Sequence, residues 1–329
     1  MIRGFAGTGI LGRLFRHWHT ICFIHKKLQL TPYHFYEWKD APKDLGVDIM
    51  LVGSDQVWNA TFGRPRPYLL DGAPNVPAIA YAASFGMRAL PEDLITAYRE
   101  GFQRFKAISV REVEGIGLVE SQGSSAAHVV DPTLLLEPSV WQQKVARSSK
   151  KKRTLVCYLL AEEIDELYPQ LIAFAKAHHC KVKVLVNLYT LPFPKTVSQI
   201  IQRVKRIMRN VFSPVKLELA AGPQEFLNAF ANATWVLSDS FHAVMFSSIF
   251  GKNVRILRPK NEFRKAMFAR IEEFAQQAVV KGELIAEDVP SALTSLVEAS
   301  PIQFNTDFIA RRRAESKAWL EQALALCKR

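Results

Sequence analysis

Short apolar runs alternate with amphipathic stretches along most of the chain. In the first half, runs that are β-branched or alanine-rich and bounded by turn residues predict strands at 49–54, 78–84, 107–112 and 128–133. A helical pattern runs from Pro91, suited to a first helical turn, to about Lys106. The second half predicts strands at 154–160, 182–188, 216–220, 235–239 and 254–258, with helices near 161–178, 196–211, 223–232 and 240–250. Strands and helices in alternation imply parallel sheets built from right-handed crossovers. Residues 145–153, basic and serine-containing after Trp141, read as a linker, and a charged amphipathic helix runs from about Asn305 to Arg329. In segment 1–24, Ile10, Leu11, Leu14, Phe15, Trp18, Ile21 and Cys22 recur at helical spacing. The expected division is 1–145, 146–304 and a terminal helix over 305–329.

Two of the strands end in the same chemistry. The run Val236-Leu237 passes into Ser238-Asp239-Ser240-Phe241-His242 and then into an apolar segment. It predicts a buried strand, a cap at Asp239 and a helix to about Phe250, stopped by Gly251. His242 then stands in the first helical turn at the carboxyl end of a strand, where free N–H groups and the helix dipole favour an anion. Open α/β sheets bind ligands at that edge. The plainer alternative is that Asp239 only caps and His242 is a satisfied core histidine. In the first half, Ile49-Met50-Leu51-Val52 likewise runs into Gly53-Ser54-Asp55-Gln56-Val57-Trp58-Asn59. A Ser-Asp pair at a strand end in each half is what two facing α/β domains need to share a cleft.

Composition narrows the class. A chain of 329 residues, 49% hydrophobic with a mean hydropathy of +0.00, is long enough for two domains and is not disordered. Its longest apolar runs are strand-length, so no transmembrane helix is expected. Cys22, Cys157, Cys180 and Cys327 lack metal or redox spacing, which suits a reducing cytoplasm. The net charge of +12 gathers at Lys150-Lys151-Lys152-Arg153, at Arg203, Lys205, Arg206 and Arg209, and at Arg311-Arg312-Arg313. No nucleic-acid signature accompanies these runs. An anionic substrate, a pyrophosphate-linked acceptor, an acidic membrane surface and plain solubility each fit them. The helix over 196–211 carries its basic residues opposite an apolar face. It reads either as a membrane-surface helix or as one packed on its own sheet.

Six short blocks, in order, resemble the polysaccharide pyruvyl transferase family. They are Gly53-Ser54-Asp55-Gln56-Val57-Trp58-Asn59, Tyr81-Ala82-Ala83-Ser84-Phe85-Gly86, Ile108-Ser109-Val110-Arg111-Glu112, Val129-Val130-Asp131-Pro132-Thr133, Gly222-Pro223-Gln224-Glu225-Phe226-Leu227 and Ser238-Asp239-Ser240-Phe241-His242. The resemblance implies an α/β fold of two Rossmann-like domains in a GT-B-like arrangement with the active site between them. It implies transfer of the pyruvyl group of phosphoenolpyruvate to two sugar hydroxyls, forming a cyclic ketal. Two departures are legible. Some members carry Arg-Leu-His where this chain has Ser240-Phe241-His242, and the first domain reads as lacking its initial βα unit. The helix over 1–24 is then expected to lie on that domain as a partial substitute, leaving phosphoenolpyruvate weakly bound and an open edge available for self-association.

Such a reaction needs a proton donor, a proton acceptor and a grip on a trianion. The catalytic candidates are His242 for acid–base exchange, Asp55 as a proton acceptor and Arg111 as a bidentate anion clamp. An ordinary structural role for Arg111 is a salt bridge with Glu112 or Glu114, and for Asp55 a turn cap. Substrate-binding candidates are Gly53, Ser54, Gln56, Asn59, Ser84, Gly86, Asp239, Ser240, Phe241 and Lys252. Arg255 and Arg264 are alternative phosphate-binding cations. No cofactor and no metal are expected beyond phosphoenolpyruvate as donor substrate. The expected partners are a sugar or lipid-linked oligosaccharide acceptor and no nucleic acid. Peripheral contact with the inner membrane and oligomerisation are further expectations. The competing readings are a GT-B-type glycosyltransferase using a nucleotide sugar and a non-catalytic truncated homologue.

Overall fold

A computed structural model describes residues 9–30, 32–33, 37–63, 65–146, 152–160, 164–186 and 213–328. The amphipathic segment 196–211 lies outside the described residues, as do 147–151 of the linker, 161–163, and 187–188 at the end of one predicted strand.

The chain enters through helix α1 (Gly9–Lys27). Strand β1 (Met50–Val52), β2 (Ala78–Ala83), helix α2 (Ile95–Phe102), β3 (Phe105–Val110), helix α3 (Val113–Glu120), β4 (Ala127–His128) and the short α4 (Pro132–Leu135) follow. Next come α5 (Pro138–Gln143), β5 (Thr154–Tyr158), α6 (Ile164–Ala177), β6 (Lys181–Leu185), β7 (Val215–Glu218), α7 (Pro223–Ala231), β8 (Trp235–Ser238), α8 (Phe241–Ile249) and β9 (Asn253–Leu257). The last elements are α9 (Glu262–Ala278), β10 (Val279–Lys281), β11 (Ile285–Ala286), α10 (Val289–Glu298), β12 (Gln303–Phe304) and α11 (Thr306–Cys327). Prediction and structure agree on the type of every described strand named from the sequence. The predicted strand 128–133 stops at His128, because Pro132 opens a helical turn that Asp131 caps through the Thr133 N–H.

Two compact units result. One comprises Leu30–Glu137, Asn261–Glu273 and Asn305–Arg329; the other comprises Met1–Gln29, Pro138–Lys260 and Phe274–Phe304. Neither is a contiguous stretch, unlike the division at 145 and 304 expected from the sequence. Each unit is built on its own parallel sheet, so the chain is an α/β protein.

In the first unit the sheet runs β1-β2-β3-β4, all parallel. Every residue of β2 is buried, as a strand covered on both faces requires. Trp58, Phe85, Phe102 and Phe105 pack together beneath the sheet, with Trp58 fully buried and its indole N–H donated to the Tyr68 carbonyl at 3.1 Å. Helix α11 completes this unit. Ser316 Oγ accepts the Val130 N–H at 3.0 Å, and Arg313, almost fully buried, donates to the Leu134 carbonyl at 2.7 Å and to Glu137 at 2.9 Å. The run Arg311-Arg312-Arg313 is therefore partly an internal clamp and not a purely solvated patch.

In the second unit six strands run β11-β9-β8-β5-β6-β7, all parallel. Read from β5 outward, the chain winds one way through β6 and β7, then returns to β8 and winds the other way. That is the doubly wound order, with its reversal between β5 and β8. Helix α1 belongs here. His19 Nδ1 donates to the Ala220 carbonyl at 2.9 Å, and a side chain at Gly222 would meet the His19 Cβ at 2.9 Å. The helix expected over 1–24 thus forms, but it packs on residues 220–225 and does not cover the first domain as expected.

Candidate functional site

The reversal between β5 and β8 leaves a crevice at their carboxyl ends, and the Ser-Asp-Ser-Phe-His block occupies it. Ser238 Oγ donates to the Tyr158 carbonyl and accepts the Ser240 N–H at 3.2 Å. Asp239 Oδ1 accepts the Leu160 N–H at 2.7 Å, tying the end of β8 to the end of β5. The predicted cap is thereby corrected: Ser240 holds the position before α8, and Asp239 is committed to the neighbouring strand. Helix α8 then starts at Phe241, one residue inside the predicted start. Phe241 and Ser240 are both buried. His242 is half-buried in the first turn, its ring 5.9 Å from that of Phe241.

Lys252 does not join this group. It follows the carboxyl end of α8 and precedes β9, which places it at the amino edge of a parallel sheet whose carboxyl edge holds His242. Burial also lowers its pKa. Arg255 is 1% exposed and spends its guanidinium on Asn253, Ser295 and main-chain carbonyls, so it too is structural.

The other predicted residues converge at the carboxyl ends of β1, β2 and β3. Gly53 leaves β1 with φ +120°, and a Cβ there would lie 2.1 Å from the Tyr81 carbonyl oxygen. Glycine is therefore required by both conformation and space. The Ser54-Asp55-Gln56 turn is tied to β2 by the Ser84 N–H, which donates to the Asp55 carbonyl at 3.0 Å. Gly86, with φ +59°, faces the Gln56 and Asn59 side chains, which a Cβ would strike at 2.4 and 2.9 Å. Asn59 is buried, and its Oδ1 accepts the Thr61 N–H and hydroxyl at 2.9 and 2.5 Å. These residues hold one another in shape before they hold any ligand.

Arg111 is the main correction. It is 4% exposed, with Nη1 donated to Asp131 at 2.8 Å and Nη2 to Asp55 at 3.3 Å. Burial would lower its pKa, but the carboxylates of Asp131, Glu112 and Asp55 outweigh burial and hold it above the ordinary value. Its direct hydrogen bonds run to Asp131 and Asp55, while Glu112, suggested by sequence adjacency, acts on it through charge. Asp55, by contrast, keeps a side chain that is 66% exposed.

Two residues that the sequence reading did not single out share this region of the first unit. Glu112, 6% exposed, collects the Ser84 hydroxyl (3.0 Å), the Phe85 N–H (2.7 Å) and the Gly86 N–H (3.3 Å) on Oε1. Arg270, from α9, donates Nη1 to Ser84 Oγ at 3.2 Å. The Gln56 amide, with its oxygen turned toward Arg270, accepts from Nη1 and Nη2 at 3.2 and 2.9 Å. Burial, then the nearby Arg111 charge, pulls Arg270 down to about 10. Glu112 closes one of the six ordered blocks, so a signal for it existed. Nothing in the sequence marks Arg270, which lies on an otherwise ordinary amphipathic helix.

Among the described residues, no helix is long and apolar enough to cross a membrane. The family description Polysaccharide pyruvyl transferase matches residues 8–261. A comparison with curated proteins gives no match. Among solved structures, the UDP-GlcNAc 2-epimerase of Methanocaldococcus jannaschii is 12% identical at a TM-score of 0.47, over 91% of this chain and 78% of that one. A putative UDP-N-acetylglucosamine 2-epimerase of Listeria monocytogenes is 9% identical at 0.46, over 95% of this chain and 80% of that one. Those likenesses are too distant to carry an argument about chemistry. The family match, in contrast, spans all six ordered blocks, and on it the chain belongs to the polysaccharide pyruvyl transferase family, a family of transferases.

Proposed function

We propose that the protein transfers the pyruvyl group of phosphoenolpyruvate to two hydroxyls of one sugar in a glycan precursor, giving a cyclic ketal and inorganic phosphate. The observation that carries the reading is His242, half-buried in the first turn of α8 at the reversal of a doubly wound sheet. Imidazole is the side chain whose ordinary chemistry suits proton exchange, and a helix first turn offers main-chain N–H groups suited to an anion.

In this reading the His242 imidazolium gives its proton to the methylene carbon of phosphoenolpyruvate, leaving a cationic C2. A first sugar hydroxyl adds to C2 and loses its proton to a base. The C2–O bond to phosphate then breaks, phosphate leaves with its electron pair, and the second hydroxyl closes the ketal, giving its proton to the now neutral His242 imidazole, which restores the acid. Arg111 is left out of the donor contacts because its guanidinium is committed to Asp131 and Asp55. The acceptor is a free or lipid-linked sugar. We place the reaction in the cytoplasm, which four free cysteines support.

The test is phosphate release from phosphoenolpyruvate in the presence of methyl glycosides, comparing wild type with His242→Gln alongside thermal melts. Loss of a general acid–base group costs about 10²–10⁴-fold in rate, with the melt unchanged. Wild-type turnover in His242→Gln overturns the assignment of the proton donor. Absence of phosphate release by the wild type overturns the donor substrate.

A further inference from the structure

Helix α1 turns a row of large apolar side chains to water. Trp18, Ile21 and Leu28 are 59%, 37% and 56% exposed. Spacings of three and seven residues set them on one side of the helix, which Leu28 extends by donating its N–H to the Ile24 carbonyl at 2.8 Å. The hydrogen bond that ties α1 to the second unit is made by His19, on the Ala220 carbonyl. At about 100° per residue, Ile21 and Leu28 stand roughly 180–200° round the axis from His19, and Trp18 about 100° from it. The row therefore lies off the face that meets residues 220–225. An apolar row of this size on a surface marks something that covers it.

Charge identifies the cover. The chain holds 31 acidic residues, yet none precedes Glu37. Helix α1 carries Arg13, Arg16, Lys26 and Lys27 and no carboxylate of its own. Glu225 of α7 comes within 3.8 Å of His19, on the side held to the unit and away from the row. An apolar groove on another protein would take the row but gain nothing from so one-sided a charge. A bilayer with anionic headgroups takes both, with tryptophan at the interface, aliphatic side chains below it and the cations against phosphates. No described helix is long and apolar enough to cross a membrane, so the fitting mode is to lie in its surface.

We propose that α1 lies in the surface of a bilayer containing anionic phospholipid, with Trp18, Ile21 and Leu28 at the acyl boundary and Lys26 and Lys27 on headgroup phosphates. The row is short, so binding is reversible and needs the apolar and the electrostatic contribution together. The proposal is independent of pyruvyl transfer: it rests on α1 and on nothing at the strand ends.

The experiment is flotation of the full chain with phosphatidylcholine vesicles, either pure or containing about one-third phosphatidylglycerol, at about 0.1 M salt. The protein should float with the anionic vesicles and stay behind with the neutral ones. Trp18→Ser combined with Ile21→Ser should weaken binding by at least about tenfold. Lys26→Gln combined with Lys27→Gln should weaken it by about fivefold for each charge removed. All four side chains are on the surface, so thermal melts should not move; the lysine pair carries the test if the serine pair fails to fold. No flotation with anionic vesicles, equal flotation with neutral ones, or flotation indifferent to either folded pair overturns the proposal. A dimer that the serine pair dissociates, in a wild type that ignores vesicles, would also overturn it and give the face to a second copy of the chain. Phosphate release from phosphoenolpyruvate changes none of these readouts, so the two readings fail separately.

Discussion

Arg111 and Asp131 meet at 2.8 Å with both side chains only 1% exposed. Asp131 divides its carboxylate: Oδ2 takes the guanidinium and Oδ1 caps α4 through Thr133. Asp131→Asn keeps the cap but leaves the Arg111 charge with less compensation in a buried site. Breaking a buried pair costs about 3–5 kcal/mol. The value expected here is at the low end, because Asp55 still accepts from Arg111. Urea unfolding measures it. A loss below about 1 kcal/mol would mean that Arg111 is free to serve a ligand after all.

Gly53 admits no side chain. Its φ of +120° disfavours L residues, and a Cβ would collide with a main-chain oxygen of the neighbouring strand. Gly53→Ala is expected to lose more than about 3 kcal/mol, since the obstacle is backbone and cannot rotate away. A soluble variant with a wild-type melting curve would show that the end of β1 yields more easily than this geometry allows.

Asp239 links the two strands that flank the sheet reversal. Asp239→Ala strips the Leu160 N–H of its acceptor, at about 1–2 kcal/mol. It also frees the start of α8, so catalytic turnover should fall by more than stability alone explains. The combination of a denaturation curve and kcat decides the point: a small stability loss with full turnover would make Asp239 a structural tie and nothing more.

His128 gives the protein a signed pH response. Its ring contacts the Arg111 carbonyl and Arg312 and lies 3.6 Å from Glu273, with Glu112 and Glu114 nearby. Burial, then the Arg312 charge, lowers its pKa below the ordinary 6.5. In the window beneath 6.5 the unfolded chain therefore holds more protons than the folded one. The stability that this neutral imidazole contributes is complete above about pH 6.5 and is lost as pH falls through the folded value. Glu273, whose pKa burial raises, has the opposite sign, but it is kept in both proteins compared. His128→Gln should thus show a flatter decline of stability below pH 6.5 than wild type in acid-range melts. An identical slope would assign the response to other groups.

The elements were far more legible than the site. β2, β8, β9 and α7 fall within a residue or so of the apolar runs that predict them, because a doubly covered parallel strand has a nearly continuous apolar signature. Helix α8 was legible for the same reason, and Gly251 does follow it with φ +60°. The block residues were correctly expected at strand ends. Their roles were not legible, since burial and partner choice are set by segments far along the chain. Arg111 looks like an anion clamp until Asp131, twenty positions away, is seen to occupy it. Arg270 carries no local mark at all, because what makes it notable is Ser84, 186 positions distant. Lys252 was placed beside His242 by sequence proximity, yet a helix lies between them and delivers it to the other edge of the sheet.

The threading of the first unit fixes the order in which the protein can be finished as it is synthesised. Its strands come from residues before 137, but the hydroxyl that accepts from Val130 and the arginine that ties Leu134 are on α11. At ribosomal speeds of about 5–20 residues per second, the strands emerge on the order of ten to forty seconds before that helix. The half made first is thus the half completed last, and in the interval its sheet lacks the α11 side chains that close over it. Slow synthesis or an interrupted transcript should therefore strand this unit, more than its neighbour, in a form that chaperones must hold.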